Sequence, residues 1–309
     1  MPKVTIGLPV YNGANYLSEA IESILAQTFT DFELIIADNA STDETESICR
    51  AFAQQDERIR YLRHPHNLGA APNFNVVVAE ANGRYFKWMA HDDLLAPEFL
   101  AATVAVLDAQ PDVLLAFTEV QTIDENGRFI PNRHPQKLET IATITSDKRF
   151  GELIKNHGCF FIWGLMRHDI LSKTQLIQSF VASDMSLLSE LALLGRFIEV
   201  PRPLFLTREH GTRSVRAIPV HERASWFDPK LAGKRVFPYW RIYVEHFNNV
   251  QRVRLTAKER FRCYLHLVRW PLRDWNWASL IWDGLVAYFP VSAKLYWAFK
   301  SYRQKSLAS

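Results

Sequence analysis

FELIIADNASTDETESICRAF, residues 32–52, joins an apolar run to a helix through a polar hinge. Phe32–Ala37 reads as a buried strand, and Asp38-Asn39 ends it. Ser41-Thr42-Asp43-Glu44 offers side-chain oxygens to the orphan amides of a helix running through Phe52. The pattern repeats on both sides. Val4–Pro9 is a short apolar run that stops at Pro9-Val10-Tyr11-Asn12-Gly13, and Tyr16–Leu25 is apolar at 17, 20, 21, 24 and 25, which is helical spacing. Arg58–Arg63 reads as a third strand, residues 69–81 as a helix and Tyr85–Met89 as a fourth strand. Pro97–Ala109 then reads as a helix and Val113–Phe117 as a strand, with a turn signal at Ile123–Arg128. Strands alternating with helices imply crossovers, hence an α/β fold with a mainly parallel sheet and helices on both faces.

Ligands of such sheets bind outside the carboxyl ends of the strands. Asp38-Asn39 and His91-Asp92-Asp93 end two of these strands and are therefore expected to be spatial neighbours. Residues 130–160 are poorly patterned and are expected to hold a mobile loop, followed by a strand-like Cys159–Ile162. Asp184–Leu194 is strongly helical, with Gly195 placed to close it. Phe197–Val200 and Leu204–Thr207 read as two strands, the second feeding a polar loop, residues 208–214. Beyond about residue 220, Tyr239–Val250, Ala257–Trp270 and Asp274–Phe289 read as helices of an aromatic-rich appendage.

The 309 residues are 48% hydrophobic and 22% charged, which excludes intrinsic disorder and suits about two domains. The net charge of +3 hides a split. Residues 251–309 carry 11 Lys and Arg against 3 Asp and Glu, whereas residues 1–250 carry 25 against 30. Five of the nine Trp (Trp270, Trp275, Trp277, Trp282 and Trp297) lie in that basic end. The three cysteines are far apart, which fits a reducing compartment rather than a disulfide framework. The first residues lack the apolar core of a signal peptide, and the longest uncharged apolar window, Gly284–Ala293, contains Pro290 and is too short to span a bilayer. A cytoplasmic location is expected, at the inner face of the membrane if the basic end binds lipid. No nucleic-acid module is present, and a nucleic-acid partner is not expected.

Neither GxGxxG after the first strand nor GxxxxGK[ST] occurs. A phosphate handler without a glycine cradle commonly neutralises charge with a divalent metal on carboxylates. Asp92-Asp93, at the end of an apolar strand, is the obvious place. Adjacent side chains on a strand diverge, so the two carboxylates are expected to differ in job. Capping the next helix is the competing reading of the pair.

Taken together, Pro9-Val10-Tyr11-Asn12, Asp38 to Asp43, Asn67-Leu68-Gly69 and Lys87 to Asp93 resemble glycosyltransferase family 2 in order and spacing. The resemblance covers about residues 3–110 and resumes at Ser183-Asp184 and at Arg208-Glu209-His210 with Ser214. It implies the GT-A fold, a Rossmann-like α/β arrangement, and an inverting enzyme using a nucleotide-sugar donor, UDP by default. The acceptor it implies is a saccharide or lipid-linked saccharide, as in cell-surface polysaccharide synthesis. It also implies a divalent metal, Mn²⁺ or Mg²⁺. Carried over residue by residue, Pro9, Tyr11 and Asn12 line the base pocket, Asp38 accepts from the base, and Asn67 and Gly69 flank the nucleotide near Arg63 or His64. Asp92 contacts the nucleotide, Asp93 and His210 hold the metal, and Asp184 is the catalytic base. His91 departs from the family's frequent Asp, and Ser183 from its frequent Glu. Arg208, Arg213 and Ser214 belong to a loop suited to phosphate, and Trp163 and Arg167 are candidates for the acceptor side.

The implied organisation is a glycosyltransferase domain, 1–220, split into a nucleotide half, 1–110, and an acceptor half, 111–220. Residues 221–309 form the basic, Trp-rich appendage. That appendage reads either as an interfacial segment meeting anionic lipid, with Trp at the boundary, or as an internally packed or oligomer-forming unit. A sugar-nucleotide nucleotidyltransferase is the alternative enzyme, disfavoured because GLPVYNGAN lacks a Gly-rich loop with Lys. A non-catalytic saccharide- or partner-binding scaffold is the alternative outside enzymes.

Overall fold

The computed structural model describes residues 1–131, 145–155, 159–211, 223–273 and 276–289. Its strands are β1 (Val4–Val10), β2 (Phe32–Asp38), β3 (Ile59–Arg63), β4 (Tyr85–Trp88), β5 (Leu94–Leu95), β6 (Val113–Ile123), β7 (Leu165–Arg167) and β8 (Arg196–Arg208). They form one sheet in the order β3-β2-β1-β4-β7-β6-β8-β5. β1 pairs in parallel with β2 and β4, β2 with β3, and β6 with β8, while β7 and β5 run antiparallel to their neighbours. The register Val10↔Asp38 and Asp38↔Arg63 brings three strand ends to one line.

The apolar run in β2 is explained by burial on both faces. Leu34 and Ile36 join the core beneath α1 (Leu17–Leu25), α2 (Thr45–Gln55) and α4 (Phe99–Ala109). Ile35 and Ala37, which alternate with them, join the opposite core with α3 (Ala70–Ala79) and α7 (Ser183–Leu194). Each fully buried Leu or Ile in these layers contributes about 1.5–3 kcal/mol. A third cluster ties α5 (Ser146–Leu153) and α7 to three C-terminal helices. These are α9 (Pro238–Arg252), α10 (Ala257–Arg269) and α11 (Asn276–Tyr288), and they follow α8 (Arg223–Phe227). Between β7 and α7 lies α6 (His168–Leu171). No helix among the described residues is long and apolar enough to cross a membrane.

Three local expectations are corrected. Cys159–Trp163 is a 3₁₀ turn rather than a strand, and the strand is the following Leu165–Arg167. Residues 197–207 lie in one strand, because Pro201 and Pro203 are absorbed by register shifts against β6 near Thr118 and Glu119. Gly195 ends α7, but with extended backbone (φ −163°) rather than a left-handed cap. Its job is close approach: a Cβ there would lie 2.5 Å from that of Leu114. The loop expected within 130–160 falls largely outside the described residues.

Candidate active site

The ends of β1 and β2 are laced together before any ligand arrives. The Asn12 amide donates to Ser41 Oγ (2.9 Å), the Thr42 amide to Asn12 Oδ1 (2.8 Å) and the Gly13 amide to Thr45 Oγ1 (3.0 Å). Asn12 (φ 50°) and Ala40 (φ 60°) both adopt left-handed backbone, a strain that proteins retain mainly where a site fixes it. Tyr11 stands exposed beside them, directly after β1 and the Pro9-Val10 step. Asp38 is enclosed: Oδ1 accepts from the Ser41 amide (2.8 Å), Oδ2 accepts from the Tyr61 hydroxyl (2.7 Å), and Arg63 Nε is 3.4 Å away.

Asn39 extends the wall. Its Nδ2 donates to Asn67 Oδ1 (2.9 Å) and to the Gly69 carbonyl (3.1 Å), and its Oδ1 accepts from the Leu68 amide (2.8 Å). Gly69 is left-handed (φ 89°), and a Cβ there would lie 2.6 Å from the Phe227 carbonyl oxygen. The segment around α8 therefore closes on the same loop, a contribution not foreseen from the sequence. Asn73 was also missed. Its Nδ2 donates to the Ala37 carbonyl (3.0 Å) and lies 3.4 Å from that of Val10, and its Oδ1 meets His64 Nε2 at 3.1 Å. The available signal was a pair of amides, Asn73 and Asn75, in the otherwise apolar run 70–79.

The 91–93 turn is clamped between β4 and the end of β8. His210 Nε2 lies 2.9 Å from Asp92 Oδ2, and the His210 ring leans on Tyr16 (centroids 4.9 Å apart). Asp93 is buried, and its Oδ1 accepts from the Arg208 amide (2.9 Å), fixing β8 to the turn. The carboxylate facing His210 is thus that of Asp92, where Asp93 was the expected partner. The His91 ring packs on Gly13, and burial pushes its imidazole below the ordinary range, with Asp92 pulling it back. Among the described residues no group of three His, Cys, Asp or Glu side chains gathers as a metal cage. Asp92 and His210 supply one oxygen and one nitrogen donor in contact. An imidazole nitrogen suits Mn²⁺ better than Mg²⁺, and the pair would supply two of its donors, with diphosphate oxygens and water completing the shell.

Arg208 and Arg167 do not serve the roles expected of them. The Arg208 side chain is fully buried and donates to Glu19 Oε2 (2.6 Å) and to the carbonyls of Asp92 (3.0 Å) and Glu125 (3.1 Å), with its guanidinium over Tyr16. It braces the turn from behind and does not present itself to phosphate. Arg167 sits beside Tyr85 at the amino end of β4, away from the site. It donates to the carbonyls of Val113 (2.8 Å), Leu107 (2.6 Å) and Gln110 (3.0 Å), so it caps α4 rather than lining an acceptor pocket. Trp163 is half-buried, its ring parallel to Phe205 at 6.2 Å and its carbonyl accepting from Lys87 Nζ (2.6 Å). Arg213 and Ser214 lie outside the described residues.

Asp184 is the second residue of α7, half-buried, behind Ala182 in left-handed backbone (φ 66°). The helix runs back along the sheet and turns at Gly195 into β8, so its start lies toward the sheet end where β8 finishes.

The fold is of the GT-A type. Residues 5–174, more than half of the chain, match the model described as Glycosyl transferase family 2, and the chain belongs to that family. An uncharacterized glycosyltransferase of Rickettsia bellii is 35% identical over 150 residues, 48% of this chain and 20% of the relative. One of Rickettsia typhi is 38% identical over 153 residues, 49% of this chain and 43% of the relative. The chain therefore spans less than half the length of these relatives. Among solved structures, S. aureus TarS 1–349 in complex with UDP-GlcNAc superposes with a TM-score of 0.63 at 16% identity, covering 88% of this chain and 73% of that one. Mannosyltransferase PcManGT from Pyrobaculum calidifontis, with GDP-Man and Mn²⁺, gives 0.58 at 18% identity, covering 97% and 79%. At these identities the likeness shows the fold.

Proposed function

We propose that this glycosyltransferase is inverting and metal-dependent, and moves a hexose from a nucleoside-diphosphate sugar to a hydroxyl of a saccharide, free or lipid-linked. The observation that carries the donor side is the contact of Asp92 with His210 at the end of the sheet, beside the laced loops at 9–13, 38–45 and 67–69. Those loops would hold the nucleoside, with Tyr11 presenting an exposed ring and Asn67-Gly69 the opposite edge. Asp92 and His210 would hold the divalent cation, which when bound supplies positive charge for the leaving diphosphate. Asp93 holds β8 against the turn, and Arg208 fixes the turn from below. UDP is the default donor nucleotide. The fold neighbours solved with UDP-GlcNAc and with GDP-Man support a nucleoside-diphosphate sugar and leave uracil and guanine both open.

Asp184 is the proposed base. The acceptor O–H gives its proton to the carboxylate as the oxygen attacks C1, and the C1–O bond to phosphate breaks with its electron pair leaving on the nucleoside diphosphate. One displacement with one base inverts the anomeric carbon. Asp184→Asn tests this. Nucleotide affinity is expected to stay within about two-fold while turnover of the sugar nucleotide falls by about 10²–10⁴. Turnover near the native rate would place the base elsewhere.

A further inference from the structure

The outer face of α10 carries two adjacent stripes. Phe261, Leu265, Val268 and Leu272 follow one another at spacings of four, three and four, and all four are exposed (63%, 37%, 67% and 79%). Lys258, Arg262, Arg269 and Arg273, spaced four, seven and four, form a second exposed row. At 100° per residue the apolar row is centred about 80° from the basic row, so both face the same side of the helix. Beyond the end of the helix at Arg269 the chain turns on past Pro271 with i→i−3 bonds, the Leu272 amide donating to the Arg269 carbonyl and the Arg273 amide to that of Trp270, so Leu272 and Arg273 follow the helix end. Of the basic side chains, Arg262 also lies 3.7 Å from Asp147.

The orientation of this helix is fixed from behind. Cys263, Leu267 and Trp270 are buried in the cluster of Phe150, Ile154 and Leu193, and Trp270 Nε1 donates to the Ile154 carbonyl (2.9 Å). A capping box of Thr256 and Glu259 starts the helix, and Glu259 also accepts from Ser146 Oγ (2.7 Å). Among the described residues the two stripes lie on the side of the helix away from that cluster. The apolar surface continues onto α9, where Trp240, Val244 and Phe247 are exposed at spacings of four and three, and Phe247 stacks on Tyr264 of α10 (5.3 Å).

We propose that this face docks the protein on an anionic phospholipid bilayer, the apolar row entering the headgroup boundary and the Lys and Arg row meeting lipid phosphates. Charge complementarity selects this occupant. An antiparallel two-fold contact between copies of the chain would bring the two basic rows side by side, whereas an anionic surface neutralises the row. The aromatics at the boundary are then Phe261, with Trp240 and Phe247 of α9, and not Trp270, which is buried. The inference does not depend on the donor or on the chemistry at Asp184.

The test is sedimentation of the full chain with vesicles of phosphatidylcholine alone and of phosphatidylcholine with phosphatidylglycerol in equal amounts. The native chain is expected to sediment with the anionic vesicles, to remain in solution with the neutral ones, and to be released by added salt. Val268→Asp with Leu272→Asp, and separately Arg269→Glu with Arg273→Glu, should each weaken partitioning at least about ten-fold. Their thermal midpoints should match the native one, because every substituted side chain is exposed. Should the Asp pair fail to fold, the Glu pair decides. Native protein left in the supernatant with anionic vesicles at low salt overturns the proposal. So does native-like partitioning of a folded variant pair, or a solution dimer that Val268→Asp dissolves, which would give the face to a second copy.

Discussion

Lys87 shows how a charged side chain can belong to the core. It is fully buried on β4, its Nζ donating to the carbonyls of Trp163 (2.6 Å) and Trp88 (3.1 Å) and lying over the rings of Phe99 and Phe205. Burial pushes its ammonium from 10.5 down to about 7, with Asp93 opposing. The unfolded chain then holds a proton that the folded chain lacks between about 7 and 10.5, so Lys87 makes stability rise with pH across that window. Lys87→Met should flatten this part of the profile in urea unfolding, and an unchanged slope would show that Lys87 stays charged when folded. Residue types and strand order pointed to Asp38-Asn39 and Asp92-Asp93 as neighbours at strand ends, while the roles of His210, Arg208 and the 9–12 turn came from the resemblance to glycosyltransferase family 2. Arg167 and Arg208 were expected on the acceptor and phosphate sides. A guanidinium has five donors, and here both satisfy buried carbonyls that no sequence pattern displays.

At the scale of elements, the strands through β4 were legible because central parallel strands are apolar on both faces. Where pairing is mixed the signal broke down: β8 carries two prolines and β7 has three residues. The support of α7 was invisible in sequence, since it comes from a helix more than fifty residues later. Asn249 Nδ2 lies within hydrogen-bond distance of the Ser186 carbonyl (2.8 Å), Ser189 Oγ (3.0 Å) and Ser186 Oγ (3.2 Å), and His246 Nδ1 meets Ser189 Oγ at 2.9 Å. These bonds hold the helix whose first turn carries Asp184. Asn249→Leu should cost about 1–3 kcal/mol in chemical unfolding. Burial holds the His246 imidazole near 3 against an ordinary 6.5, so folding excludes a proton that the unfolded chain binds. The stabilisation is present above 6.5 and is lost as pH falls toward 3, and His246→Gln should remove that acid slope. A native slope in the variant would assign the acid sensitivity to other groups.

For the whole molecule, the net charge of +3 conceals a division of labour that the fold makes spatial. The carboxylates gather at the strand ends, and the basic surplus lies partly on the outer face of α10. Between them α7 packs on α5 and α9, and the segment around α8 reaches back to Gly69 on the side proposed for the nucleotide. The most direct measurement is titration calorimetry of UDP, GDP and their sugar conjugates against the native chain and Asp92→Ala, with and without Mn²⁺. The native chain is expected to bind at least one of them with Mn²⁺-dependent affinity, and Asp92→Ala to lose the Mn²⁺ dependence. No binding of any nucleotide at millimolar concentration, or the same Mn²⁺ dependence in Asp92→Ala, would mean that the Asp92–His210 cleft is not the donor site.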